Sequence, residues 1–293
     1  MKVLFPGQQA VEKKGWFKAH KWLLLRRVSQ LSIIFLFLLG PLYGVELFEA
    51  WLVKGNLSSS VVLGVIPLTD PYILLQAFLS GHYPVVEGII GAAIILAFYL
   101  IVGGRIYCSW VCPINMVTDA SAWLRQRLGI KSTFQFARST RYWLLGLTLI
   151  LPMITGMLVW ELFNPVSVMF RGIVFGMGWG WMVILAVFVF DLFVSKRGWC
   201  GHICPVGAFY SLLNFKSPIR VTADKRDQCD DCMDCFAVCP EPQVIKPALK
   251  GADKGIGPMI DYNACTSCGR CVDICDEDVF HFTWRYTAFK NKK

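Results

Sequence analysis

Eight cysteines between residues 229 and 275 repeat one spacing: Cys229, Cys232, Cys235 and Cys239, followed by Pro240, then Cys265, Cys268, Cys271 and Cys275. A cubane iron-sulfur cluster presents iron at its corners, and a short CxxCxxC loop can wrap three of them with thiolates. The fourth thiolate must come from elsewhere, and in the two-cluster arrangement the last cysteine of each run ligates the other cluster. The spacing therefore assigns Cys229, Cys232, Cys235 and Cys275 to one [4Fe-4S] cluster and Cys265, Cys268, Cys271 and Cys239 to a second. Zinc also takes four thiolates, but structural zinc sites commonly use two separated CxxC pairs rather than a duplicated triple run. Long-loop disulfides fit the spacing worse still. One position departs from the repeat: Cys275 is followed by Asp276 where Cys239 is followed by Pro240. Loss of the proline alters a turn and the local solvation more than the iron bond, and is expected to shift the potential.

The other four cysteines form a second repeat, RIYCSWVCPIN around Cys108 and Cys112 and RGWCGHICPVG around Cys200 and Cys204. On helical geometry a CxxxC pair puts both sulfurs on one face. Two such pairs could hold a third cluster, exchange thiol redox equivalents or dock the cysteine-rich tail. The plainer use is as small buried residues at helix ends. The matched arginine, aromatic and proline neighbours favour a shared function.

These motifs need elements to hold them. IRVT after Pro218 reads as a strand, QVIKPALK and GPMIDY alternate enough for a hairpin, and VFHFTWRY would close a small sheet. The tail is thus expected to be an α+β two-cluster ferredoxin-like domain over residues 218–293. Upstream the chain is very apolar: 55% of its 293 residues are hydrophobic, 17% are charged, and the mean hydropathy is +0.51. That composition points to a polytopic α-helical membrane domain rather than a soluble one. Four stretches, near 29–47, 86–104, 142–162 and 173–194, approach the roughly 20 apolar residues needed to cross a bilayer. The expected division is a basic N-terminus over 1–28, a four-helix membrane domain over 29–217 carrying both CxxxCP motifs, and the tail.

Positive charge sets the orientation. Lys2, Lys13, Lys14, Lys18, Lys21, Arg26 and Arg27 precede the first stretch, and Arg105, Arg125, Arg127, Lys131, Arg138 and Arg141 lie between the second and third. The two outer loops carry only Lys54 and Arg171, so both termini are expected in the cytoplasm of a bacterial inner membrane. Arg26-Arg27 could open an export signal, but the apolar run is long and lacks a small-residue cleavage site, so a retained anchor is expected. The outer run PLTDPYILLQAFLSG is too short to span and fits an interfacial or re-entrant helix. The net charge of +9 collects beside the apolar stretches and forms no nucleic-acid face.

Four candidate spans, two RxxCxxxCP repeats at their cytoplasmic ends, the outer run GNLSSSVVLGVIPLTDPYILLQ and the two-cluster tail together resemble the NapH family across almost the whole chain. Relatives with similar halves serve nitrous oxide reduction and cytochrome oxidase maturation. The resemblance implies a membrane quinol dehydrogenase subunit, with lipid and quinol as its surroundings and substrate. Electrons would pass to a periplasmic ferredoxin-type NapG-like partner and on to nitrate reductase.

Quinol oxidation releases two protons and two electrons, so a carboxylate or histidine near the membrane surface is expected. Glu46, Glu49, Asp70, His82, Glu87, Glu161 and Asp191 are the candidates. The histidines are His20, His82, His202 and His281, none within a span, so a membrane bis-histidine haem is not expected. The runner-up function is a redox assembly or maturation factor for a metalloenzyme. A redox-sensing regulator is a weaker third, since no kinase or DNA-binding signature accompanies the short tail.

Overall fold

The computed structural model describes residues 6–43, 46–47, 50–51, 53–130, 134, 136–176 and 178–286. The chain forms two compact units, each assembled from separate segments. One combines Met1–Ser29, Tyr99–Trp110 and Tyr210–Lys293; the other combines Gln30–Phe98 and Val111–Phe209. This differs from the division at residues 28 and 217 read from composition. The reason lies in buried polar bonds, which tie the N-terminal segment and residues 99–110 to the tail.

In the first unit the strands Ile219–Thr222 and His281–Trp284 pair antiparallel, Ile219 opposite Trp284 and Thr222 opposite His281. Thr222 also bridges Met259, and Ile260 N–H donates to Val221 O. IRVT and VFHFTWRY thus form the expected small sheet. QVIKPALK does not become a hairpin strand: a short 3₁₀ turn at Pro242–Val244 leads into the helix Ile245–Lys250. Val244, Ile245, Ala248 and Leu249 are all buried, a helical rather than alternating set. They pack with Val221, Ile260, Val279 and Phe280 to form the core beneath the cysteines.

The basic N-terminus belongs to this same unit. In the helix Gln8–Lys14, Lys13 pairs with Glu277, and Lys14 bonds Asp278 and the Cys275 carbonyl. Asp273, buried, accepts the backbone N–H groups of Trp22 and Leu23 at 3.0 and 2.9 Å, at the start of the helix Lys21–Tyr43. The aromatic ring of Trp22 lies 4.4 Å from Phe282 and 6.1 Å from Trp110.

In the second unit, residues 53–69 form a three-stranded antiparallel sheet, Val53–Gly55, Ser59–Val62 and Ile66–Thr69. Asn56 sets the first turn, its Oδ1 accepting from the N–H groups of Ser58 and Ser59. The helix Pro71–Leu79 follows, with Pro71 in its first turn and Asp70 Oδ1 accepting from Tyr72 N–H at 2.9 Å. Tyr72, fully buried, reaches Thr148 Oγ1 at 2.6 Å and Phe209 at 5.4 Å between ring centroids.

The apolar stretches fold as helices with different bounds from those expected. The first runs Lys21–Tyr43 and the second Val86–Val102. The third, Thr140–Thr155, contains Pro152 and ends at Gly156 in a left-handed conformation, well short of residue 162. The fourth is divided between Pro165–Phe175 and Trp181–Val189, the latter continuing as a π-helical turn to Val194. Among the described residues one helix, Lys21–Leu39, is long and apolar enough to cross a membrane by itself; Val86–Val102, Pro165–Phe175 and Gly178–Val194 are apolar but shorter. Large apolar side chains stand exposed along all of these regions: Leu31 and Phe35; Ile90, Ile94 and Ile101; Trp143, Leu147 and Ile154; Leu185 and Phe193. The helix Ile114–Arg127 buries a polar face. Ser121 Oγ donates to Phe188 O, and Arg125 Nη1 donates to Leu192 O at 2.8 Å.

Candidate metal centre

The two cysteine runs fold alike. In the first loop Asp231 and Met233 have positive φ, +61° and +63°; in the second, Ser267 and Gly269 have +46° and +72° at the same offsets from the leading cysteine. Left-handed residues alternating with ordinary ones turn successive N–H groups toward one point, a concavity suited to a polyanionic cluster. A short helix then follows each loop, Asp234–Val238 and Arg270–Ile274, and ends directly at Cys239 and Cys275. Each helix carries its last cysteine away from its own loop.

Two cavities result. Cys229, Cys232, Cys235 and Cys275 line the first, with Met233, Phe236, Leu249 and Phe280. Cys239, Cys265, Cys268 and Cys271 line the second, with Val221, Ile245, Ile260 and Arg270. Each therefore gathers three thiols of one run and the last thiol of the other, a donor set that fits a four-iron cluster. The second set is the more enclosed: Cys265, Cys268 and Cys271 are buried, whereas Cys232 of the first set is exposed.

Burial pushes the Cys235 thiol up to about 12 and the Cys232 thiol up to about 11, with Asp230 and Asp234 adding to the rise at Cys232. Burial also raises Cys271 and Cys265. At Cys268 burial acts upward too, but Arg270 and Arg26, the Arg270 N–H and the Thr266 side chain together bring the thiol down to about 7. Most of these thiols stay protonated until a cation supplies the opposing charge, so loading with iron releases protons.

The first CxxxCP repeat anchors the second loop. Arg105 Nη1 lies 2.8 Å from Glu241 Oε1, both side chains 2% exposed, and 2.6 Å from Ala264 O. Ser109 Oγ donates to Thr266 O at 2.8 Å and Trp110 Nε1 to Ser267 O at 3.1 Å. Asn214 Nδ2 donates to Cys265 O at 2.9 Å. Five backbone positions around Cys265–Cys268 are thus fixed from outside the loop once Trp22, packed against Gly269, is included. A Cβ on Gly269 would lie 2.6 Å from Trp22 Cγ. Gly269→Ala is expected to cost about 2 kcal/mol from left-handed strain and overpacking together. A fall in the midpoint of thermal unfolding would register it; an unchanged midpoint would mean Trp22 yields freely.

The second repeat is built the same way locally and tied differently. Cys108 and Cys200 lie on π-helical turns, Tyr107–Val111 and Trp199–Ile203, and Cys112 and Cys204 follow directly, each before a proline at the start of a helix. Arg197, the counterpart of Arg105, pairs with Asp119 at 3.2 Å. Trp199 N–H donates to Asp191 Oδ1 at 2.9 Å, Cys200 Sγ lies 3.9 Å from Thr118 Oγ1, and Arg141 donates to Gly201 O. The equivalent arginines serve different partners, which the repeat alone could not reveal.

The proton-carrying candidates have separate surroundings. Glu49 and the side chain of Glu46 lie outside the described residues. Asp70 caps its helix, His82 Nδ1 meets Ser80 Oγ at 2.9 Å, Glu87 sits in the first turn of Val86–Val102, and Asp191 is fully buried. Glu161 sits within a polar group, receiving Ser58 Oγ at 3.3 Å and Asn164 Nδ2 at 3.3 Å, with Arg171 Nη2 at 3.6 Å. Glu241 and Asp273 were not singled out from sequence. The signal for Glu241 is its place directly after the Cys-Pro pair.

A family model described as a 4Fe-4S binding domain matches residues 85–131 and 177–221, one CxxxCP repeat in each part. A second, described as a 4Fe-4S dicluster domain, matches residues 228–279. The ferredoxin-type protein NapH of Escherichia coli is 47% identical over 283 residues, 96% of each chain, and that of Haemophilus influenzae is 46% identical over the same shares. The methylamine utilization ferredoxin-type protein MauN of Methylorubrum extorquens is 48% identical over 277 residues, 94% of each chain. No solved structure matches the chain significantly. Matched nearly end to end at this identity, with iron-sulfur models on both of its cysteine patterns, the chain belongs to the NapH family of ferredoxin-type proteins.

Proposed function

We propose that this protein is a multi-pass membrane quinol dehydrogenase subunit that carries electrons through two tail [4Fe-4S] clusters. The observation that carries the cluster reading is the gathering of Cys229, Cys232, Cys235 and Cys275 at one cavity and of Cys239, Cys265, Cys268 and Cys271 at the other. Those two sets ligate the clusters. Cys108, Cys112, Cys200 and Cys204 add a further iron-sulfur or redox site, a reading supported by the 4Fe-4S binding model on both repeats.

Four membrane-embedded segments agree with the exposed apolar rows on the helical regions, although the third and fourth are short or divided. Sixteen residues, as in Thr140–Thr155, span about 24 Å, against about 30 Å of hydrocarbon. Short segments are accommodated by local thinning of the bilayer or by packing against neighbours. With both termini cytoplasmic, a reporter fused after residue 293 is expected to read inside and one at Lys54 outside. An outside reading at the C-terminus would reverse the topology.

Quinol is the electron source and a periplasmic NapG-like ferredoxin-type protein the acceptor. The test is anaerobic addition of a quinol to the purified protein in lipid nanodiscs, followed by electron paramagnetic resonance. The expected result is the signal of reduced [4Fe-4S] centres. Centres that dithionite reduces but quinol leaves oxidised would remove the quinol step and favour the assembly-factor reading. MauN, named for methylamine utilization, matches as well as NapH does. That similarity favours a second reading, in which the electron-transfer chain is common to these proteins and the final acceptor differs.

A further inference from the structure

The two cysteine sets sit in opposite electrostatic surroundings. At the set of Cys239, Cys265, Cys268 and Cys271, Arg270 lines the cavity and is 7% exposed, and Arg26, Arg105 and Arg220 are 0–1% exposed. Arg105 holds Ala264 O and Arg220 holds Tyr262 O, both within three residues of Cys265. The carboxylates facing this set are Glu241, paired with Arg105; Asp273, bonded to Trp22 and Leu23; and Asp261, half exposed and shared between Arg285 and, at 3.9 Å, Arg220. Positive charge is in excess and is buried.

Carboxylates dominate at the set of Cys229, Cys232, Cys235 and Cys275. An oxygen of Asp230, an oxygen of Asp276 and Cys232 Sγ all lie within 4.8 Å of one another. Asp231 lines the cavity with Lys250 bonded to it, and Asp234 accepts from Gly7 N–H. Glu277 and Asp278 are met by Lys13 and Lys14. Asp276 stands where the other run has Pro240, so the departure from the repeat places a charge beside this set.

An added electron makes a cluster more negative. Buried guanidinium groups favour it, and carboxylates beside the sulfurs oppose it. Burial alone works the other way, since a buried anion loses hydration. At the arginine-lined set the buried guanidinium groups supply the charge that opposes this loss.

We propose that this chain holds the two clusters at different potentials. Arg26, Arg105, Arg220 and Arg270 stabilise an electron at the Cys239, Cys265, Cys268 and Cys271 set, and Asp230 and Asp276 disfavour one at the Cys229, Cys232, Cys235 and Cys275 set. An electron on the exposed, carboxylate-flanked set therefore moves to the arginine-lined set, oxidising the first by one electron and reducing the second by one, with no bond made or broken. The proposal rests on the two-cluster reading above.

The experiment is a dithionite redox titration of the anaerobically purified full chain, followed by electron paramagnetic resonance, with iron analysis and Mössbauer spectra taken first. Two separate one-electron waves are expected. Asp276→Asn should raise only the lower one, changing the reduced-to-oxidised ratio at fixed potential by about tenfold, or 59 mV for one electron. Arg270→Gln should lower only the upper one. Iron and spectra for fewer than two clusters would overturn the two-cluster reading and this proposal together. With two clusters present, coincident waves, or an Asp276→Asn variant that moves the upper wave or neither, overturn the proposal alone. Should Arg270→Gln fail to fold, the half-buried Asp276 still decides the matter.

Discussion

Replacing Arg105 by methionine is expected to strip iron from the second cysteine loop and loosen the tail. The guanidinium is paired with Glu241 at 2.8 Å, both side chains 2% exposed, and it also holds Ala264 O. Removing one partner of a buried ion pair leaves the other charge dehydrated and unopposed, a cost of about 3–5 kcal/mol. That cost falls beside Cys265, where the loop must keep its shape to bind metal. Iron content and resistance of the tail to limited proteolysis should both drop. The Arg105→Met, Glu241→Met double variant removes both charges and is expected to recover most of the protease resistance, because replacing a buried pair with apolar side chains is often neutral. Lysine should not substitute, since a point charge cannot serve Glu241 and Ala264 O with the same fork. If Arg105→Met keeps wild-type iron and protease resistance, the pair does not hold the loop.

Changing Cys239 to alanine is expected to remove about half of the tail-bound iron, and so is changing Cys275. The informative variants are doubles. If Cys239 completes the set of Cys265, Cys268 and Cys271, then Cys239→Ala with Cys265→Ala removes one cluster and leaves the other intact. Cys239→Ala with Cys229→Ala removes both. If each run instead served its own cluster, the two doubles would exchange results. Iron analysis and Mössbauer spectra on the same preparations distinguish the cases, and non-additivity within one set is the expected signature.

The cysteines themselves were legible because ligation depends on residue type and close spacing. CxxCxxC brings three thiols onto one loop whatever surrounds it, and the duplicated run predicts its own exchange of fourth ligands. IRVT and VFHFTWRY were legible as strands through their β-branched and aromatic content. QVIKPALK misled because eight residues interrupted by a proline carry too little periodicity, and burial of Val244, Ile245, Ala248 and Leu249 settles it as a helix. The sheet over residues 53–69 was missed because short strands with serine and glycine resemble a loop until their pairing is seen.

Lys13 and Lys14 illustrate the remaining gap. Counted in sequence, they are positive charges on the inner side of a first span; folded, they neutralise Glu277 and Asp278, 264 residues away in each case. Arg105 and Arg197 occupy the same place in one repeat, yet one is joined to Glu241 and the other to Asp119. Sequence alone determined the family, the iron-sulfur chemistry and the apolar character of the chain, because these depend on local residue types and spacing. Tertiary structure decided which charges surround each cysteine set, and hence which loop is buried among arginines and which is exposed among carboxylates. Those pairings join residues far apart in the chain, and only folding brings them within range of one another.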